Sequence, residues 1–268
     1  MTERLAGGKL LLDSPAEAVV RIRISNPERR NALDHEILDA LAETLPQLDR
    51  GIETRCVLIT GAPPVFSAGY DIASIPSETF ERDAEALVAH PFHAAMEAIA
   101  KHPWPTVAAI NGHCLGGGLE LAITCDLRIC AEGAKLGMPP AKLGLVYGHT
   151  GLRKFLDTVG LARTKELFLT GRNFEARRAE QIGLVHEVFD DAELEDAAVA
   201  LAEGIAANAP LSMRGNKSAI ETLNANPVLS EQQESGLIAL RESCFASEDL
   251  REGIEAFAEK RKPRWKGQ

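Results

Sequence analysis

Two glycine-bearing turns and one carboxylate carry the chemistry this sequence suggests. Phe66-Ser67-Ala68-Gly69-Tyr70-Asp71-Ile72 and Asn111-Gly112-His113-Cys114-Leu115-Gly116-Gly117-Gly118-Leu119-Glu120 each set a backbone N–H beside glycine, where a strand pattern gives way to a turn. Amides aimed at one point hold a developing oxyanion, and a nearby carboxylate moves a proton or positions water. Leu119 to Cys125 reads as a buried helix. The Gly117 N–H then falls in its first turn, among donors with no intrahelical acceptor, where the helix dipole adds to the attraction for an anion. A side chain at Gly117 would block close approach of a reacting group. Glu120, three residues on, shares a helix face with Gly117. Taken alone, the second segment fits equally well a buried helix opened by a flexible turn, with Glu120 as a first-turn acid.

These segments need strands to carry them. Arg55-Cys-Val-Leu-Ile-Thr60 and Thr106-Val-Ala-Ala-Ile110 are short β-branched runs that end at glycine, proline or asparagine just before each turn. Further strand-like runs lie at Ala18–Ile24, Leu127–Ala131 and Leu184–Phe189, with helical patterns between them at Asp34–Leu48, Glu81–Lys101, Gly117–Cys125, Leu152–Val159 and Thr164–Thr170. Alternation of this kind predicts an α/β fold. From about Asp191 the strands stop, and Glu195–Asn208, Ser212–Leu223, Ser230–Phe245 and Asp249–Lys260 are helical. The expected organisation is a core over 1–195 and a helical region over 196–268. Residues 73–93 are polar, broken by proline, and predict a mobile loop leading into a helix.

Bulk properties narrow the partners. The 268 residues, 45% hydrophobic and 25% charged, suffice for one sizeable core. A net charge of −10 argues against nucleic acid as the main partner. The five cysteines, Cys56, Cys114, Cys125, Cys130 and Cys244, show no C-x-x-C spacing and read as buried thiols rather than metal ligands or disulfides. No apolar run reaches a transmembrane length, so the expectation is a cytoplasmic protein with no membrane partner. No dinucleotide fingerprint, P-loop or zinc spacing is present. A serine hydrolase built on Ser67 is disfavoured, because no histidine has a motif tying it to that serine.

Together, in this order and spacing, the two glycine segments resemble the oxyanion segments of the crotonase (enoyl-CoA hydratase/isomerase) superfamily. The flanks agree: Asn26-Pro-Glu-Arg-Arg-Asn-Ala-Leu33 and Cys125-Asp-Leu-Arg128 match family segments, and the resemblance runs from about Val19 to Lys262. It implies a spiral ββα acyl-CoA-binding core with a C-terminal helical trimerisation region, hence a homotrimer or a dimer of trimers. It implies coenzyme A as the thioester carrier of the substrate, with no permanently bound cofactor. The expected oxyanion donors are the amides of Ala68 and Gly117. Arg29 and Arg30 are candidates for the phosphates, the backbone of Ala68, Asp71 and Ile72 for the adenine edge. Lys260, Arg261 and Lys262 form a second basic cluster that could reach a cofactor on a neighbouring subunit.

The chain departs from a hydratase where the second glutamate should follow a Phe-Gly-x-Pro segment. Here Leu136-Gly-Met-Pro-Pro140 puts proline at that position. Downstream, Leu145-Val-Tyr-Gly-His-Thr-Gly151 places Tyr147 where the family's methylmalonyl-CoA decarboxylase branch carries tyrosine, although Tyr70 stands where that branch has histidine. A decarboxylase holds the thioester oxygen and protonates the enolate left behind, roles open to Glu120 and Tyr147; His149 is a weaker candidate. The leading expectation is therefore an acyl-CoA lyase that decarboxylates a short malonyl-type acyl-CoA. The alternatives are an enoyl-CoA hydratase or Δ3-Δ2 isomerase using Glu120, and a non-catalytic acyl-CoA-binding relative.

Overall fold

Strands covered on both faces read as continuous apolar runs, and the centre of this molecule is built from them. In a computed structural model that describes residues 2–49, 51–71, 88–226 and 228–268, every residue of β4 (Cys56–Gly61) and β6 (Thr106–Ile110) is buried. They lie in a sheet with β1 (Glu3–Leu5), β2 (Leu10–Ala16), β3 (Val19–Ile24), β8 (Leu127–Ala131) and β11 (Glu187–Phe189), in the order β1-β2-β3-β4-β6-β8-β11. The first three strands are antiparallel and the pairs from β3 onward parallel. Register sets Ile22 beside Ile59, Ile59 beside Ala108 and Ala109 beside Ile129, so apolar residues stack across the sheet.

A second sheet holds β5 (Val65–Ser67), β7 (His113–Leu115), β9 (Lys135–Gly137) and β10 (Asn173–Glu175), in the order β10-β9-β7-β5. The chain visits one strand of each sheet and then a helix: β6, β7 and the helix Gly117–Thr124, then β8, β9 and the helices after it. This is the ββα spiral expected from the resemblance. Each visit to the second sheet ends in a turn at its edge, and both glycine-bearing turns lie there.

The helices are α1 (His35–Gln47), α2 (His93–Ala100), α3 (Gly117–Thr124), α4 (Pro140–Leu143), α5 (His149–Thr170), α6 (Ala176–Gln181), α7 (Leu194–Ala206), α8 (Pro210–Ala225), α9 (Glu231–Ala246) and α10 (Glu248–Glu259). Asp34 caps α1, its carboxylate accepting from the Ile37 amide at 3.0 Å. Gly160, at φ 72°, breaks α5 into the two helical pieces seen in the sequence pattern. The expected mobile loop over 73–93, and the first part of the helical pattern from Glu81, lie largely outside the described residues.

The helical region does not separate from the core at residue 196. Helix α7 buries Leu194, Ala198, Ala202 and Ala206, in one cluster with the first sheet. The change comes at α8, which buries only Pro210. It is tied to the core through Lys217, whose ammonium donates to Asp126 Oδ2 at 2.6 Å and to the Trp104 carbonyl at 3.1 Å. Asp126 also accepts from the Thr106 amide at 2.7 Å, which gives the Cys-Asp run a fixed place at the start of β6. All five cysteines are free, and burial pushes the thiols of Cys56, Cys125 and Cys130 up to about 12. Among the described residues no helix is long and apolar enough to cross a membrane.

Candidate active site

The Asn26–Leu33 turn and the Phe66–Asp71 segment are laced together by side chain and backbone. Asn31, fully buried, donates to the carbonyls of Ala62 and Val65 at 2.7 and 2.6 Å. Arg30 and Asn31 both adopt left-handed φ, 54° and 53°, a conformation that asparagine tolerates better than most residues. The resulting turn sets the Arg30 carbonyl against the Ala68 amide at 3.0 Å, the Leu33 amide against the Gly69 carbonyl at 2.7 Å, and the Asp71 amide against the Leu33 carbonyl at 3.0 Å.

This lacing corrects one expectation. The Ala68 N–H is consumed by Arg30 and is not available to an oxyanion. Leu33 pairs with Tyr70 as a parallel bridge, bonding to the residues on either side of it. The Tyr70 peptide therefore turns its N–H to the opposite side. That side faces the glycine helix: a Cβ built on Gly69, which sits at φ 96°, would lie 3.1 Å from the Gly117 nitrogen. Gly117 opens α3, and its amide has no acceptor among the described residues. The pair of amides brought together is thus Tyr70 and Gly117. Sequence reasoning missed Tyr70 because the choice depends on which edge of the segment the distant Asn31 turn occupies.

The glycines are needed here for contact. A Cβ on Gly117 would come within 2.9 Å of the Tyr70 ring, and one on Gly118 within 2.7 Å of Ser67 Cβ. Ser67 itself is fully buried, and its hydroxyl accepts from the Gly69 amide at 3.2 Å. It is a packing residue in this fold.

Glu120 lies one helical turn beyond Gly117, buried, with its carboxylate facing a cavity of about 170 Å³. The Tyr147 hydroxyl donates to Glu120 Oε2 at 2.6 Å, and the Tyr70 hydroxyl stands 3.2 Å from that of Tyr147. With an ionised Glu120 the chain runs one way: Tyr70 donates to Tyr147, and Tyr147 to the carboxylate. Lys154, from α5, places its ammonium 3.7 Å from Glu120 Oε1 and donates to Thr124 Oγ1 at 2.7 Å. Thr124 in turn donates to the Glu120 carbonyl at 2.7 Å. Lys154 and Thr124 carried no signal in the sequence, since they meet Glu120 only through the packing of α5 on α3.

Burial raises the Glu120 carboxyl above its ordinary value, while the Tyr147 hydrogen bond and the Lys154 charge pull it back. Burial and the neighbouring carboxylate hold the Tyr147 hydroxyl well above its usual range, so it acts as a donor and not as an anion. Lys154 is lowered by burial and supported by Glu120. The Gly148–Gly151 turn permits this closeness. A Cβ on Gly151 would lie 2.6 Å from both Glu120 Oε2 and the Tyr147 ring.

Other expected residues fall elsewhere. Pro140 is buried and opens α4, with neither acid nor N–H to offer. His149 is exposed at the start of α5; the cavity wall from this turn is Tyr147, Gly148, Thr150 and Gly151. Arg29 and Arg30 are exposed on the Asn26–Leu33 turn, to which the Ala68 amide is bonded. Ala68 and Asp71 have both spent their amides on that turn. Ile72 lies outside the described residues. In the second basic cluster, Arg261 is bound to Glu252 at 2.6 and 3.0 Å and to Glu259 at 2.6 Å, which leaves it committed to the C-terminal helix.

Comparison with known proteins places the fold in a family. Residues 15–268 match the family model described as enoyl-CoA hydratase/isomerase. A Bacillus subtilis protein with the name "Probable enoyl-CoA hydratase" is 40% identical over 252 residues, covering 93% of this chain and 96% of its own. The short-chain-enoyl-CoA hydratase of Clostridium acetobutylicum is 32% identical over 258 residues, covering 94% and 95%. Among solved structures, an enoyl-CoA hydratase from Bacillus anthracis superposes with a TM-score of 0.88 at 34% identity, covering 97% of this chain and all of that one (100%). With its ββα spiral, its glycine-opened helix and a match over nearly its whole length, the chain belongs to the enoyl-CoA hydratase/isomerase family, the crotonase superfamily.

Proposed function

We propose that this protein acts on an enoyl-CoA, moving a proton at the α-carbon of the thioester with Glu120 while the amides of Tyr70 and Gly117 hold the enolate oxygen. The observation that carries this reading is the placement of one buried carboxylate, facing a cavity that Tyr70 also lines, a single helical turn from an amide at a helix N-terminus. A thioester oxygen held at the Gly117 amide would leave the α-carbon one bond from the carbonyl carbon, with Glu120 one helical turn along the same helix. Preorganised donors of this kind contribute about 3–4 kcal/mol each to such a step.

Coenzyme A would reach the site past the Asn26–Leu33 turn, with Arg29 and Arg30 at its phosphates. The Ala68 carbonyl would accept from the adenine amino group, its amide being spent on Arg30. The exposed apolar residues of α9 and α10 support self-association through the C-terminal helices, as a trimer or a dimer of trimers.

Decarboxylation of a malonyl-type thioester, favoured by Tyr147 in the sequence, gives way on a structural ground. The Tyr147 hydroxyl is already donated to Glu120 at 2.6 Å and is not free to meet a departing carboxylate. The hydratase names of the relatives point the same way.

Crotonyl-CoA, a 3-enoyl-CoA and methylmalonyl-CoA, assayed with the purified protein, distinguish the readings. The expected result is a change in conjugated-thioester absorbance with an enoyl-CoA, abolished by Glu120→Gln, and no CO2 from methylmalonyl-CoA. Rapid CO2 release that survives Glu120→Gln would overturn the proposal.

A further inference from the structure

We propose that His93 is the second acid–base group of this site, taking the part of the carboxylate that Pro140 excludes, so that the protein adds water across the enoyl double bond. This rests on the enoyl-CoA reading above, and the experiment below separates a failure of one from a failure of the other.

Water addition involves two proton events at different atoms. Water must lose a proton as its oxygen bonds to the β-carbon, and the α-carbon must gain one. A single carboxylate suits double-bond migration, which returns to one carbon the proton taken from another. Hydration asks for a second group that reaches the substrate from another direction. The position where hydratases carry that group is Pro140 here.

The structure supplies a replacement on a different element. His93 is the first residue of α2, and His93, Glu97 and Ala100 share one face of that helix at the i, i+4, i+7 spacing. All three line the same cavity of about 170 Å³ as Glu120, Tyr147 and Lys154. The cavity is thus lined by both a histidine and the buried carboxylate. Phe92, immediately before His93, packs edge-on against the Tyr70 ring at 4.6 Å, which fixes the start of α2 against the segment that carries the Tyr70 amide. The two groups interact electrically: a cationic His93 favours the ionised forms of both Glu120 and Glu97.

Among the described residues, the charged and titratable groups that share the cavity with His93 are Glu97 on its own helix, Glu120 from α3, the hydroxyls of Tyr70 and Tyr147, and Lys154 from α5. Imidazole is the side chain that both accepts and releases a proton near neutral pH. His93 is exposed on one side, which gives its proton a route to solvent.

The step balances as follows. The water oxygen bonds to the β-carbon and its proton passes to the His93 imidazole. The π pair of the double bond moves into the thioester, and the resulting enolate oxygen is held by the two amides. The enolate then collapses, taking the proton of a protonated Glu120 onto the α-carbon. His93 releases its proton to solvent and Glu120 recovers one, so the net change is one water added.

Full-length protein carrying His93→Gln tests the assignment with two readouts. Hydration of crotonyl-CoA is followed by loss of the conjugated absorbance. Exchange of the α-protons of butyryl-CoA in D2O is followed by NMR; it needs Glu120 and the amides but no second group. The expected result is a kcat for hydration lowered about 10²-fold with retained α-exchange. Retained exchange also reports that the variant is folded. His93→Gln that hydrates like the parent overturns the proposal, as does one that loses hydration and exchange in equal measure. Parent protein that isomerises a 3-enoyl-CoA yet never hydrates crotonyl-CoA refutes His93 alone. Parent protein with neither turnover nor exchange refutes the enoyl-CoA reading and this inference with it.

Discussion

The helices that flank the sheets and the helices that end the chain treat their apolar residues in opposite ways. Helix α1 buries Ile37, Leu38, Leu41 and Leu45 completely, in one cluster with the first sheet, and α7 buries a stripe of Leu194, Ala198, Ala202 and Ala206. Helix α9 buries nothing, while Ile238 and Phe245 stand exposed on it; on α10, Phe257 is 89% exposed. Both kinds of helix have sound ends. Ser230 forms a full capping box with Gln233, and Ser247 caps α10. The very end of the chain is also tied down, since Asp249 accepts from the Lys266 and Gly267 amides and the Trp265 indole donates to the Ala207 carbonyl. The tail is therefore an ordered element with unspent apolar surface, whereas the core is closed upon itself. An active site lined by core helices needs no help from the tail to place Glu120.

The sharpest way to break this contrast is to truncate one phenylalanine in each region. Phe155 is fully buried on α5, edge-on to Phe168 at 4.9 Å, on the same helix that delivers Lys154. Phe155→Ala should cost about 3–5 kcal/mol of stability, the usual toll for removing a buried aromatic ring. Phe257→Ala should cost the isolated chain almost nothing, as the ring touches mainly solvent. Urea midpoints of the two variants check this. Equal losses would mean that the tail is as much a part of the core as α5.

Of intermediate size is the effect on assembly. Replacing Phe245 and Phe257 together by serine removes apolar surface worth about 1.5–3 kcal/mol per ring if that surface is buried between subunits. Sedimentation should then show a smaller species than the parent at equal concentration, with secondary structure retained. An unchanged mass would separate the exposed rings from self-association.

What the sequence revealed follows the same division. The central strands β4 and β6 of the first sheet were legible because burial on both faces demands unbroken apolar runs, as in Val57-Leu-Ile. The strands of the second sheet are three residues each and left no periodicity to read. Leu184–Phe189 was expected as one strand, but Gly183 turns the chain at φ 76° and only Glu187–Phe189 pairs with β8. The hairpin of β1 and β2 was missed, since Asp13, Ser14 and Pro15 interrupt its apolar pattern. At the site, Gly117 and Glu120 could be placed because local helix geometry relates them. Tyr70, His93 and Lys154 could not, because each reaches the cavity through contacts between elements distant in the chain.

The smallest expected effect concerns the hydrogen bond from Tyr147 to Glu120, and it is read as a shift along the pH axis. Tyr147→Phe keeps the ring that packs 5.4 Å from Phe168 and removes only the hydroxyl. That hydroxyl opposes the upward push of burial on Glu120, so its loss should raise the carboxyl further. A base works in its ionised form, hence the acid limb of α-proton exchange should move to higher pH while the plateau changes little. Stability follows with a definite sign. A carboxyl whose folded value exceeds its unfolded value stabilises the fold below the unfolded value, and that contribution is lost as pH rises through the folded value. Glu120→Gln should accordingly flatten the decline of Tm across that window, and Tyr147→Phe should extend the decline toward higher pH. If Tyr147→Phe instead moves the acid limb downward, the hydroxyl is not donating to the carboxylate, and the one-way chain from Tyr70 through Tyr147 to Glu120 is wrong.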